Sequence, residues 1–363
     1  MARPANAFDF IRILAALAVL YSHSFVLYGL PEPQVMAGQT FGSLAVAVFF
    51  ALSGFLICQS WQRDPSVIRF AMRRVLRIFP GLLVVVLLTA LVVGPLMTQV
   101  SVHEYFGDAT PWRYIRSAGL ALGSPPIIGL FEHSLYPNAV NGSLWTLKYE
   151  ILMYMVLAVS GRLFARSSLK LACALVFAAF ALAWCALAYA AKGPIQLPGL
   201  WRLGIELYAD RIAYLGAFFF GGALANVYLP NIKLSWLAAA ALLVPAFFVN
   251  NTAAMVLLWL AIPYCVLVFA FKAPAVFRKV NGFDYSYGIY IYAFPIQQVI
   301  SEVGQQHGWP WSAVLSAPIV ATVALAGLSW HCIEQPALSF KDRIWSFGRQ
   351  PQPTEASASP APR

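Results

Sequence analysis

The feature that most constrains this chain is a succession of apolar stretches, each about long enough to cross a lipid bilayer. A helix needs about 20 apolar residues to span the hydrocarbon core. Such stretches occur near residues 8–29, 41–60, 75–98, 143–164, 170–191, 211–229, 234–249, 253–271, 283–303 and 312–333. Only 10% of the 363 residues are charged, too few to cover a water-facing surface. The sequence therefore predicts an all-α, polytopic integral membrane helix bundle with about ten transmembrane helices.

The chain divides into one membrane unit and a short tail. The predicted spans lie within residues 6–340, whereas residues 346–363 are rich in Pro, Ser and Ala and are predicted to form a disordered tail. The five cysteines lie in or beside apolar stretches, and none belongs to a CxxC pair. Neither a disulfide framework nor a metal site is predicted.

The distribution of basic residues predicts the orientation. If the N-terminus is cytoplasmic, seventeen of the 24 Lys and Arg residues fall in cytoplasmic segments and five in outer segments. Because cytoplasmic loops carry an excess of Lys and Arg, both termini are predicted to be cytoplasmic. The same distribution accounts for the net charge of +10 without a nucleic-acid partner.

Ionisable residues inside the predicted spans are candidates for function. Arg12 and His23 interrupt the first span, and they are eleven positions apart, so they share one helix face about 16 Å apart. Glu150 lies about seven residues into the fourth span, at a predicted depth close to that of His23. A carboxylate beside an imidazole raises its basicity, as a general base requires. A structural ion pair or an amphipathic helix end is the alternative interpretation.

A cluster of arginines precedes the third span. Arg69, Arg73 and Arg77 recur every four residues, so they form one stripe on a helix, and Arg74 lies beside them. Such a stripe at the cytoplasmic face is suited to hold phosphate groups. A topology anchor is the more common use of such clusters and remains the alternative.

Several motifs follow one another along the chain. Arg12 and His23 form an Arg-x10-His pattern; the others are FFALSGFLI at 49–57, RRVLRIFP at 73–80, SLWTLKYE at 143–150, SYGIY at 286–290 and EQP at 334–336. In this order they resemble the membrane-bound acyltransferase family 3, the bacterial sugar O-acyltransferases. The resemblance covers roughly residues 6–340. It implies a multi-pass protein of the bacterial cytoplasmic (inner) membrane.

The resemblance also implies an activity and a set of substrates. The donor is expected to be acetyl-CoA or another acyl-CoA, and the acceptor a hydroxyl of a sugar in a glycan or lipid-linked saccharide. No metal is expected. The acyl-CoA is expected to bind Arg12, Arg73, Arg74 and Arg77.

Expected roles follow for five further positions. His23 is expected to act as general base, with Glu150 orienting or charging its imidazole. Trp145, Tyr149 and Arg211 are candidates for substrate binding, although aromatic lining of a helix bundle is the commoner reason for such residues. Whether the acyl group rests first on His23 stays open.

One departure from the family and one alternative function accompany this interpretation. Many family members have a His where this chain has Ala293, so any role of that His is absent or relocated here. A ten-span transporter or flippase of a lipid-linked saccharide is the alternative function. Transporters usually contain two related halves, and no such internal symmetry is visible in this sequence.

Overall fold

The computed structural model of the protein describes residues 6–164, 168–187, 207–249, 251–279 and 282–346. The predicted all-α class is confirmed. The predicted tail lies outside the described residues, apart from its first residue, Ser346. A small antiparallel hairpin of β1 (Gln34–Met36) and β2 (Gln39–Thr40) follows the first helix.

The helices begin with α1 (Phe8–Leu27), α2 (Phe41–Arg63) and α3 (Val67–Leu88), and α3 continues through a π-helical turn and a last α-helical turn to Met97. Next come α4 (Val102–Gly107), α5 (Thr110–Gly119), a 3-10 turn (Gly142–Thr146), α6 (Leu147–Leu163) and α7 (Leu169–Leu187). The second half contains α8 (Ala209–Tyr228), α9 (Trp236–Leu243), α10 (Asn251–Lys272) and α11 (Ala275–Arg278). It ends with α12 (Ser286–Gln306), α13 (Trp311–Ser329), a π-helical turn (Trp330–Glu334) and α14 (Gln335–Ser346).

Seven helices of the described part are long and apolar enough to cross a membrane. They coincide with seven of the ten predicted spans. The other three predicted spans also contain helices, α6, α9 and α12, but these are shorter or more polar. These helices indicate a multi-pass helical membrane protein, while the count of ten and the orientation of the termini stay predictions.

The centre of the bundle depends on close contact between α2 and α8. A Cβ atom on Gly54 would lie 1.7 Å from the carbonyl oxygen of Phe219, and one on Gly222 would lie 1.9 Å from that of Ala51. Small residues allow helix backbones to approach in a membrane, where lipid supplies no hydrophobic drive for association. These two glycines therefore fix the distance between α2 and α8.

The segment before α6 lies against the first half of α12. The Asn141 side chain donates to the carbonyl of Ile291 (2.9 Å) and accepts from the backbone N–H of Ser143 (3.2 Å). The Tyr290 hydroxyl donates to the carbonyl of Ser143 (2.8 Å) and lies 2.6 Å from the Thr146 hydroxyl. These bonds satisfy backbone groups that lipid could not satisfy, so non-helical backbone is tolerated here. As a result, α6 begins deep inside the bundle.

Candidate active site

An open cavity lies between α1, α2, α3, α6 and α12, and about 730 Å³ of space lies within it and its opening to solvent. Its wall combines aromatic and aliphatic side chains with an unusual number of polar ones. The polar and charged lining residues are Arg12, Ser53, Arg74, Arg77, Thr146, Glu150, Tyr154, Ser286, Tyr287 and Tyr290. Three arginines around one space inside a membrane bundle mark this cavity as the candidate site.

Two of the three arginines share a counterion. Asp284, which precedes α12, accepts hydrogen bonds from Arg12 (2.8 Å) and Arg77 (2.5 Å). Arg77 also lies 3.5 Å from the carboxylate of Glu334, whose side chain is only 2% exposed. The charges of Arg12 and Arg77 are therefore largely compensated, and Asp284 joins α1, α3 and α12 at one point.

Arg73 lies outside the cavity lining. It forms an ion pair with Asp64 and donates to the Ser60 hydroxyl (3.2 Å), while Arg69 donates to the same carboxylate at 2.6 and 2.8 Å. The hydrogen bond from Arg69, with the charge of Arg73, lowers the pKa of Asp64 to about 2. The structure therefore gathers Arg12, Arg74 and Arg77 around the cavity, and Arg73 of the predicted cluster is turned to the loop between α2 and α3.

Arg74 has no ion pair within the described part of the chain. Its guanidinium lies 6.0 Å from the ring centre of Phe70 and 5.8 Å from that of Tyr154. Its Nε atom is enclosed and has no hydrogen-bond partner among the described residues. Arg74 is thus the cavity arginine with the most unused capacity to bind an anion.

Glu150 faces the cavity from the first turn of α6. Its Oε1 atom accepts hydrogen bonds from the Ser53 hydroxyl (2.9 Å) and from the Tyr154 hydroxyl. Its Oε2 atom makes no hydrogen bond with any residue that the structure describes. The carboxylate is therefore held by two donors, with one oxygen left for a ligand.

His23 lies apart from Glu150. Its half-buried ring packs edge-on against Phe294, with ring centres 5.2 Å apart, and its Nδ1 atom is enclosed without a partner in the described part of the chain. The neighbouring Ser22 accepts from the backbone N–H of Gly42, whereas Glu150 binds Ser53. Gly42 and Ser53 are eleven residues apart on α2, or about 16 Å along its axis.

The predicted common depth of His23 and Glu150 is therefore wrong. The prediction assumed a helix entering from the membrane surface at residue 143, whereas the 142–146 turn is held beside Tyr290 and Ile291 in the first half of α12. Glu150 consequently lies near the level of Arg12. The expected contact between Glu150 and His23 is not formed, while the role of His23 as a base stays a prediction.

The three predicted substrate-binding residues form a separate cluster outside the cavity lining. The Arg211 guanidinium lies 4.9 Å from the ring centre of Trp145 and 4.5 Å from that of Tyr208. The hydroxyl of the buried Tyr149 accepts from the backbone N–H of Tyr208 (3.2 Å). These contacts connect α6 to the start of α8, and a role in substrate binding stays a prediction.

Sequence reasoning missed Asp284, Ser53 and Tyr154. Ser53 lies within the 49–57 motif and Asp284 stands two residues before the 286–290 motif, so the motifs already indicated both regions of the chain. Tyr154 belongs to no motif, and only its position one turn after Glu150 could have indicated it. Groups of three or more His, Cys, Asp and Glu suited to a metal ion are absent from the described residues.

The fold and the cavity define a membrane-embedded helix bundle with a charged internal site. The family model described as "Acyltransferase domain" matches residues 5–331, so the chain belongs to the acyltransferase 3 family.

Two curated relatives match nearly the full chain. An "O-acetyl transferase" from Shigella phage Sf6 is 31% identical over 92% of this chain and 96% of the relative. "Nodulation protein 10" from Rhizobium leguminosarum bv. viciae is 29% identical over 93% of this chain and 95% of the relative. No solved structure matches significantly. The chain is thus an acyltransferase, and the transporter or flippase alternative is not favoured.

Proposed function

We propose that the protein is a membrane O-acyltransferase that moves an acyl group, most simply acetyl, from acyl-CoA to a hydroxyl of a saccharide. Membership of the acyltransferase 3 family and similarity to a relative named O-acetyl transferase support the acyl transfer. The saccharide acceptor and a bacterial inner-membrane location follow from the family resemblance of the motifs.

The observation that carries the proposed donor is the arginine-lined cavity. Coenzyme A is an anion with several phosphates, and Arg74 is a cavity arginine without an ion pair among the described residues. Arg12 and Arg77 add to the positive potential around it, although Asp284 compensates much of their charge. A desolvated guanidinium with free N–H groups is well suited to bind phosphate.

His23 is the proposed general base. It lies on the same helix as Arg12, eleven residues or about 16 Å further along, which is of the order of the extended pantetheine arm. The acceptor oxygen attacks the thioester carbonyl carbon, the new C–O ester bond forms, and the C–S bond breaks. His23 takes the hydroxyl proton and returns it to the departing thiolate, giving free coenzyme A.

The test uses purified full-length protein in lipid nanodiscs with acetyl-CoA and a crude glycan extract. Release of the coenzyme A thiol and appearance of acetyl ester on the glycan are measured for wild type and for His23→Ala. The proposal expects glycan-dependent turnover in wild type and at least a hundredfold loss in the variant, since general bases contribute about 10²–10⁴-fold. A folded wild type that releases no thiol with any extract would contradict the proposed donor.

A further inference from the structure

Glu150 occupies an intermediate position between the two ends of the proposed donor site. Towards the end of α2 at Arg63, Arg74 packs between the rings of Phe70 and Tyr154, and Phe70 in turn packs on Trp61 at 5.3 Å. Tyr154 is one turn after Glu150 on α6. Arg74 therefore lies on the side of Glu150 that faces the loop between α2 and α3.

The opposite side of Glu150 leads towards His23. Thr146, one turn before Glu150, bonds the Tyr290 hydroxyl, and both line the cavity. The ring of Phe294, one turn after Tyr290, packs against His23. The order of groups through the bundle is thus Arg74, then Glu150, then Tyr290, then His23.

This order decides which part of an acyl-CoA donor can lie beside Glu150. A carboxylate repels phosphate, so the phosphates are favoured at Arg74 and disfavoured at Glu150. With the thioester at His23, the neutral pantetheine arm crosses the level of Glu150. The arm carries amide N–H groups, which need hydrogen-bond acceptors once they leave water.

We propose that Glu150 binds the pantetheine arm of acyl-CoA, with its free Oε2 atom accepting a hydrogen bond from an amide N–H. Ser53 and Tyr154 hold the carboxylate in this orientation through Oε1. This inference rests on the proposed function. It replaces the predicted pairing with His23 and makes Glu150 a donor-recognition residue that does not act on the proton of the acceptor.

The test compares two ligands that differ in the arm. Equilibrium dissociation constants are measured in nanodiscs for coenzyme A, which has the arm, and for adenosine bisphosphate, which has nucleotide phosphates but no arm. Glu150→Gln keeps the shape of the side chain and an oxygen for both donors to Oε1, but replaces Oε2 with an NH2 group that cannot accept a hydrogen bond. We expect it to weaken coenzyme A binding at least about tenfold, the loss of one hydrogen bond to a charged group, and not to weaken adenosine bisphosphate binding.

Two further variants make the result specific. Arg74→Gln is expected to weaken both ligands, because it removes the phosphate contact that they share. Glu302→Gln is the matched control: it neutralises another Glu, near the end of α12 at Gln306 and outside the cavity lining, and is expected to change neither ligand. Melting temperature and gel-filtration profile confirm that each variant is folded.

The outcomes separate this inference from the proposed function. Equal weakening of both ligands in Glu150→Gln would overturn the arm contact, because Glu150 would then act through the phosphate site. Unchanged coenzyme A binding with lost turnover would also overturn it and return Glu150 to the chemical step. Failure of the wild type to bind coenzyme A at all would instead refute the proposed donor.

Discussion

Arg73 and Arg74 are neighbours in the sequence but have different surroundings in the fold. Arg73 is occupied by Asp64 and Ser60 in the loop region, whereas Arg74 faces the cavity without an ion pair among the described residues. We predict that Arg74→Gln weakens coenzyme A binding at least tenfold, since hydrogen bonds to charged groups contribute about 1.5–3 kcal/mol. Arg73→Gln, the matched control, should change the dissociation constant less than about threefold, because Asp64 already compensates its charge and Arg73 lies outside the cavity lining. Equal losses would show that both act as one basic surface.

Asp284 provides a second prediction at the residue scale. It binds two arginines whose side chains are only 21% and 19% exposed, so its removal leaves two poorly hydrated cations. We predict that Asp284→Asn lowers the free energy of unfolding by about 3–5 kcal/mol, the usual cost of breaking a buried pair. Chemical unfolding in mild detergent measures this change.

Asp64→Asn is the control for Asp284→Asn, because Asp64 also binds two arginines but one of them, Arg69, is 50% exposed and such pairs contribute little, so we expect a smaller loss than for Asp284→Asn. A similar cost for both variants would mean that Asp284 has no special role in joining α1, α3 and α12.

At the scale of elements, the contact between α2 and α8 leaves no room for a side chain at Gly54 or Gly222. A methyl group on Gly54 would overlap the carbonyl of Phe219, and backbone cannot move away as a flexible side chain can. We predict that Gly54→Ala prevents folding or lowers the melting temperature by more than about ten degrees. Each kcal/mol of lost stability lowers the melting temperature of a large domain by about 2–4 °C, and this overlap is expected to cost several kcal/mol. Thermal unfolding followed by gel filtration measures it.

Gly327 supplies the control for that prediction. It lies in the last turn of α13, where the chain continues in helical conformation, and nothing would contact an added Cβ atom within 4 Å. Gly327→Ala should therefore be neutral or slightly stabilising, because alanine favours helix more than glycine does. A tolerated Gly54→Ala would contradict the close packing of α2 on α8.

Most elements could be predicted from the sequence, because a long apolar run in lipid has few alternatives to a helix. The start of α6 could not. Residues 143–146 run directly into the apolar stretch that follows, and only the bonds from Asn141 and Tyr290 to neighbouring backbone show that the helix begins later and deeper. Hydropathy contains no information about such long-range bonds, so Glu150 was predicted at the wrong depth.

The candidate site was predictable to a similar extent. Arg12 and His23 lie on one helix as their spacing indicated. The arginine stripe was predicted from a spacing of four residues, whereas the cavity takes Arg74 and Arg77, three residues apart. The difference arises because Asp64, in the loop before α3, pairs with Arg69 and Arg73 near the start of the helix, a contact that helix periodicity alone does not reveal.

At the scale of the whole molecule, the orientation in the membrane is a prediction that accessibility can test. The loop between α2 and α3 should be cytoplasmic and that between α4 and α5 should face outwards, if the excess of basic residues sets the topology. Pro65→Cys and Gly107→Cys place one thiol at each exposed position, in a Cys332→Ser background that removes an exposed native thiol. Intact cells should allow an impermeant maleimide to label only the Gly107→Cys protein. Labelling of only the Pro65→Cys protein would show that the orientation is opposite to the predicted one.

The central claim is that acyl-CoA binds at the arginine-lined cavity and reacts at His23, and one experiment tests both parts. The dissociation constant of coenzyme A and the rate of glycan-dependent thiol release from acetyl-CoA are measured on the same nanodisc samples of wild type, Arg74→Gln and His23→Ala. We predict that His23→Ala binds coenzyme A as wild type does but has lost turnover, while Arg74→Gln loses affinity and regains turnover at high acetyl-CoA. Full turnover in His23→Ala, or unchanged affinity in Arg74→Gln, would contradict the account.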